Sequence, residues 1–217
     1  MRWQVALVGG VALGASGCVV AKEGTWTFDG DIRRVVVELG NGDAEIVPSG
    51  TSKTHVELDF GGVSLSPVGP YRSGNAVYVN LLCDGVCGGD VFVEVPDDVW
   101  VEAHVHRGDL DIDGLYGGEL DAIVGAGDLT ITDTSVPRVG TSVGAGDGSI
   151  ELDEVGCVSV QVGAGDASLD VPAGAYKLGV SVDAGHLEVD GGIVQDDQAE
   201  RCIRGHVQAG HLDISSY

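Results

Sequence analysis

Gly-Asp recurs along this chain at a fixed interval. Asp90, Asp109, Asp128, Asp147 and Asp166 each follow a glycine and stand 19 residues apart. Gly185-His186 comes 20 residues after Asp166 and Gly210-His211 comes 25 later; Gly40-Asn41-Gly42-Asp43 is an upstream copy and Gly61-Gly62-Val63 a degenerate one. A period near 20 sustained through most of a chain is the signature of a solenoid, whose repeats bury their apolar faces only by stacking on one another.

Parity inside the repeat fixes the type of element. After each turn, Leu110 and Ile112, Leu129 and Ile131, Ile150 and Leu152, Leu169 and Val171, Leu187 and Val189, and Leu212 and Ile214 fall on one side of a period-2 pattern. Before the turn, Val101-Ala103-Val105, Leu120-Ala122-Val124, Val139-Thr141-Val143, Val158-Val160-Val162 and Leu178-Val180-Val182 do the same. Alternation of this kind predicts two strands per repeat, each with one face inward. About nine coils at roughly 4.8 Å per step would make a rod about 40 Å long. No cap is evident after Ser215-Ser216-Tyr217, so the last coil is expected to be exposed, paired with another copy, or closed by Tyr217.

Composition agrees with this reading. Glycine supplies 36 of 217 residues and aromatics only 5%, which suits tight turns between short strands of small and β-branched residues and does not indicate helices. The formal charge of -23 makes nucleic acid and anionic headgroups poor partners, because both are bound through an excess of Lys and Arg. Such acidity serves solubility, and cations or basic partners remain compatible with it.

The N-terminus reads as an address. Arg2 precedes an apolar run from Val5 to Leu13, too short to span a bilayer, followed by small residues and Cys18. Ala15-Ser16-Gly17-Cys18 resembles the lipobox of bacterial lipoproteins, although Ala15 stands where Leu is commonest. The resemblance implies lipidation of Cys18 and membrane attachment through the lipid; Val19, in place of Asp, points to the outer membrane or cell surface of a Gram-negative host. The expected organisation is residues 1–17 as signal peptide, 18–28 as lipidated Cys and tether, and 29–217 as one all-β solenoid domain. Trp26 and Phe28 are expected to cover an open end of the core.

The recurrent Gly-x-Gly-Asp-x-x-Ile/Leu/Val units, opened by Gly30-Asp31-Ile32-Arg33-Arg34-Val35-Val36-Val37, resemble the bacterial putative-adhesin family, also called the Toast-rack domain, over about residues 30–217. The resemblance implies a stack of β-strand repeats on an envelope protein. It brings no catalytic residues with it.

Several constellations could carry chemistry. In the turns, Asp43, Asp90, Asp109, Asp128, Asp147 and Asp166 are expected to bond turn backbone, as Asx residues do. The alternative is a divalent-metal binder, with Ca²⁺ on stacked carboxylates or Zn²⁺ on Asp147, Asp166, His186 and His211. His206 lies near His211, and His104 and His106 flank the inward Val105, both pointing outward. In Arg107-Gly108-Asp109 the repeat itself accounts for Gly and Asp. No hydrolase elbow, P-loop or zinc-protease motif is present, so a glycan-active β-helix enzyme is only a second alternative.

Cysteine placement completes the expectations. Cys83 and Cys87 close a short loop and are expected to form a disulfide in an exported chain. Cys157 and Cys202 each stand nine residues before a turn residue, with Lys177 at that place in the repeat between them. Stacked in sequence order they would lie about 9.6 Å apart, beyond the roughly 7 Å that a disulfide spans, and would stay free. Against this, four cysteines remain after lipidation and even numbers in exported chains usually pair, and the irregular segment Asp190 to Glu200 could shift the last coil. The reading is thus a lipid-anchored envelope protein with an adhesin-like interaction or structural module, whose partner is another envelope protein or a glycan.

Overall fold

The computed structural model describes residues 20–62, 69–82 and 87–217. These form sixteen strands in chain order and no helix. The lipobox with Cys18, and Cys83, lie outside the described residues.

Each coil is a strand, a Gly-Asp or Gly-His turn, and a second strand, and is named here by its turn residue. Pre-turn strands stack in parallel register in one column and post-turn strands in another. In the Asp128 coil, Leu120, Ala122 and Val124 face Leu129 and Ile131 across the core, all at most 1% exposed. Alternate residues point to solvent. Full burial of a Leu or Ile contributes roughly 1.5–3 kcal/mol, so the inward columns supply the main stabilising term.

Glycine at the turn is required by the stacking distance. Gly127 has φ 139°, and a Cβ there would sit 2.1 Å from the Gly108 carbonyl oxygen of the preceding coil. The bend and the close backbone approach both exclude a side chain.

Eight two-strand coils stack, and their spatial order departs from chain order at both ends. The order is Asp90, Asp43, Asp109, Asp128, Asp147, Asp166, His211, His186. At the start, Arg34–Leu39 lies between Ala76–Leu81 and Trp100–Arg107, and Ala44–Pro48 pairs with Cys87–Val95 and with Leu110–Asp113. At the finish, Cys202–Ser216 inserts between Gly148–Ala164 with Ala167–Val171 on one side and Gly174–Val189 on the other. Both the first and the last coil in sequence are therefore second from an end.

That insertion decides between the two readings of Cys157 and Cys202. They are direct register partners, with Cα atoms 4.4 Å apart, and are joined in a disulfide. The expected separation assumed Lys177 between them; Lys177 instead lies beyond Cys202, as its partner on the far side.

Two further readings change. Gly61-Gly62 does not open a coil: it ends the strand Thr54–Gly62, which runs antiparallel to Cys87–Val95. The segment 18–28 is not a tether from residue 20 onward, because Val20–Phe28 is a strand antiparallel to Thr54–Gly62. These two antiparallel strands close one end of the post-turn column, with Phe28 and Phe60 buried and Trp26 packed on the core.

Among the described residues the other end is open. Gly174–Val189 has Cys202–Ser216 on one side and, of these residues, only Ile193–Gln195 on the other, against its first three residues. Leu178, Val180, Val182 and Leu187 are consequently only partly buried, and Val189 is exposed. Tyr217 does not cover this edge; its hydroxyl donates to the Leu152 carbonyl at 2.8 Å.

Candidate functional site

The turn residues form a ladder. Each turn amide donates to the carboxylate of the preceding coil: Asp43 N to Asp90 at 3.1 Å, Asp109 N to Asp43 at 2.8 Å, Asp128 N to Asp109 at 2.9 Å, Asp147 N to Asp128 at 2.9 Å and Asp166 N to Asp147 at 2.8 Å. The sequence suggests a carboxylate tied to its own turn; the partner is the next coil's turn. Each bond satisfies an amide that the bend would leave without a strand partner, and holds neighbouring coils in register.

The ladder ends where histidine replaces aspartate. His211 N donates to Asp166 Oδ1 at 2.8 Å, and His211 Nδ1 lies 3.0 Å from the same oxygen. These contacts, the side-chain one first, hold the Asp166 carboxyl below its usual value. The rings of His186 and His211 are 6.2 Å apart. The structure thus places Asp147, Asp166, His211 and His186 on consecutive turns in space. Two of the donors, Asp147 Oδ1 and Asp166 Oδ1, already accept backbone hydrogen bonds. His206 instead faces Ser181, Nδ1 to Oγ 3.0 Å.

Cys87 is disulfide-bonded, and the expected pairing with Cys83 falls outside the described residues. Gly108 and Asp109 are taken up by the turn ladder, while the Arg107 guanidinium donates to Asn41 Oδ1 at 3.5 Å.

The outer face of the pre-turn column carries the densest functional chemistry, and most of it escaped the sequence reading. Arg34 pairs with Glu102 and lies over the Trp100 ring at 4.4 Å, and Trp100 Nε1 donates to Asp121 at 3.2 Å. A shallow groove runs from these residues past Ile123 and Thr141 to Gln161. Along the same face, Glu38 and His104 are register partners, and the His104 and His106 rings are 4.1 Å apart. Partial burial, then His106, hold the His104 imidazole below its ordinary value. A signal was present in the outward parity of Glu38, Trp100, Glu102, His104 and His106. Their grouping was hidden because it depends on the Asp43 coil lying against the Asp109 coil.

No protein-family model matches the sequence, and no curated protein is similar to it. Among solved structures, one described as a putative cell adhesion protein from Clostridium sporogenes ATCC 15579 superposes with a TM-score of 0.52 at 13% identity, covering 91% of this chain and 100% of that one. The chain shares the fold of that structure. A putative adhesin from Bacteroides fragilis NCTC 9343 is also similar, with 13% identity, coverage of 93% and 98%, and a TM-score of 0.48. The fold expected from the Gly-Asp repeats is the one observed, an all-β stack of two-strand coils.

Proposed function

We propose that this chain is an exported, lipid-anchored envelope protein whose acidic stack is an adhesin-like interaction module rather than an enzyme. The observation that carries the reading is the asymmetry of the stack. One end is closed by antiparallel strands and aromatic side chains; the other presents the strand edge of the His186 coil with half-buried Leu178, Val180 and Val182. An open edge of this kind offers unpaired backbone groups and apolar side chains to an added strand.

The strand Val20–Phe28 and the open edge lie at opposite ends of the post-turn column. In sequence Cys18 stands two residues before Val20, the start of the strand Val20–Phe28, which is outermost at the closed end of the post-turn column. Nine strand steps, or about 43 Å, separate it from the His186 coil. A lipid on Cys18 would hold the closed end at the membrane and present the open end outward. The partner class is another envelope protein or a glycan, and the likeness in fold to a structure described as a putative cell adhesion protein supports the reading.

The test uses residues 19–217 as bait on cell-envelope extract, beside a Leu178→Lys/Val180→Lys variant. Retention of an envelope component by the wild-type chain and its loss in the variant is the expected result. No retained component, or equal retention by both baits, would sink the proposal.

A further inference from the structure

We propose that Glu38, His104 and His106 form a Zn²⁺ site on the outer face of the pre-turn column. Their ligand atoms all lie within 4.8 Å of one another. This site is separate from the turn column and from the open edge.

The backbone sets the constellation. Glu38 and His104 are paired residues on adjacent parallel strands, Arg34–Leu39 and Trp100–Arg107, so their side chains leave the sheet side by side. His106 is two residues beyond His104 and leaves the same face. The flanking position on the Asp128 coil is Gly125, which has no side chain to cover His106.

The donor set selects the metal. Two imidazoles and one carboxylate suit Zn²⁺, whose bonds to N and O are about 2.0–2.2 Å, whereas Ca²⁺ takes oxygen ligands throughout. Tetrahedral ligands at that distance stand about 3.3 Å apart. Side-chain rotation closes the present spacing, because the three groups stand on fixed strands and are exposed or half-buried.

An orienting contact is also in place. Asn80 Nδ2 donates to Glu38 Oε2 at 3.1 Å, which turns the carboxylate and leaves its other oxygen for the metal. Outer-shell amides of this kind fix ligating carboxylates. Asn80 and Glu38 are register partners, so the row Asn80, Glu38, His104 crosses three adjacent coils. The net charge of -23 favours accumulation of cations near the surface. Three protein ligands leave a fourth position for water or for a donor from a bound partner.

By contrast, His211 Nδ1 is already engaged with Asp166 Oδ1, which also accepts the His211 amide. The His turns are therefore the control. Zn²⁺ binding to the full mature chain is measured by competition with a chromophoric chelator, with Co²⁺ absorption as a spectroscopic check on coordination. One equivalent is expected, weakened roughly tenfold or more by His104→Asn, His106→Asn or Glu38→Gln, and about tenfold by Asn80→Ala. A His186→Asn/His211→Asn variant should bind as the wild type does. Circular dichroism and melting confirm that each variant is folded. Absence of binding by the wild-type chain, undiminished binding in folded His104→Asn and His106→Asn, or loss in the His186→Asn/His211→Asn variant would each overturn the proposal.

Discussion

Replacing Gly127 by alanine probes the contact that lets the coils stack. The Cβ would meet the Gly108 carbonyl oxygen at 2.1 Å, its carbon at 2.6 Å and Asp109 Oδ1 at 3.0 Å, from a backbone at φ 139°. That conformation costs a non-glycine residue roughly 1–3 kcal/mol. Relieving the clash forces the Asp109 and Asp128 turns apart. At risk are the bonds from Gly108 N to Ala126 O and from Leu110 N to Asp128 O, both 3.0 Å, and from Asp128 N to Asp109 Oδ1, 2.9 Å. Two neutral bonds and one to a carboxylate add roughly 3 kcal/mol. The total is roughly 4–6 kcal/mol, which in a chain of this size lowers the melting temperature by about 10–20 °C.

Two other glycines serve as controls in the same scan. Gly61→Ala meets nothing within 4 Å and should melt with the wild type; Gly50→Ala also meets open space but has φ 59°, so it should cost only about 1 kcal/mol. If Gly127→Ala melts within about 2 °C of Gly61→Ala, the close turn-to-turn contact is not what sets the spacing.

Other expectations follow from the same structure. The Cys157–Cys202 bond closes a 45-residue separation, so Cys157→Ser/Cys202→Ser should lose about 4 kcal/mol, read from denaturant midpoints under oxidising conditions. Asp166, held below its ordinary 3.8 by His211, contributes stability that is present above that value and lost as pH falls through the depressed one. Urea midpoints of the wild type and Asp166→Asn should therefore differ at neutral pH and converge once the solution is well below pH 3.8. Metabolic labelling with a fatty acid should mark the wild-type precursor and leave Cys18→Ala unlabelled.

The sequence carried the repeat unit clearly, because a turn glycine, its acidic neighbour and the flanking period-2 pattern are all local. Leu129 and Ile131 could be assigned to the core from parity alone, as could Val158, Val160 and Val162. The order of the coils could not. Every coil offers its neighbours nearly the same apolar rows and the same turn, so exchanging two neighbours leaves the pattern of buried residues intact. Cys157 and Cys202 were the informative exception: two cysteines at equivalent places in different repeats can bond only if those repeats touch.

The Glu38, His104 and His106 grouping was obscured for the same reason, since the Asp90 coil intervenes in sequence between Glu38 and His104 but not in space. The strand Val20–Phe28 was missed because Lys22, Glu23 and Gly24 break its apolar pattern. Its pairing comes from the antiparallel Thr54–Gly62, outside the repeat. The turn carboxylates were legible as structural, although their bonds run between coils rather than within one.

The spatial order of the coils underlies both the open edge and the grouping of Glu38 with the two histidines. It is tested most directly by peptide mapping of the unreduced mature protein. Apart from the disulfide that holds Cys87, the account predicts a cross-linked species joining the Cys157 peptide to the Cys202 peptide, in full yield. Free thiols at both positions would contradict it, because they would return the His186 coil to the place between them.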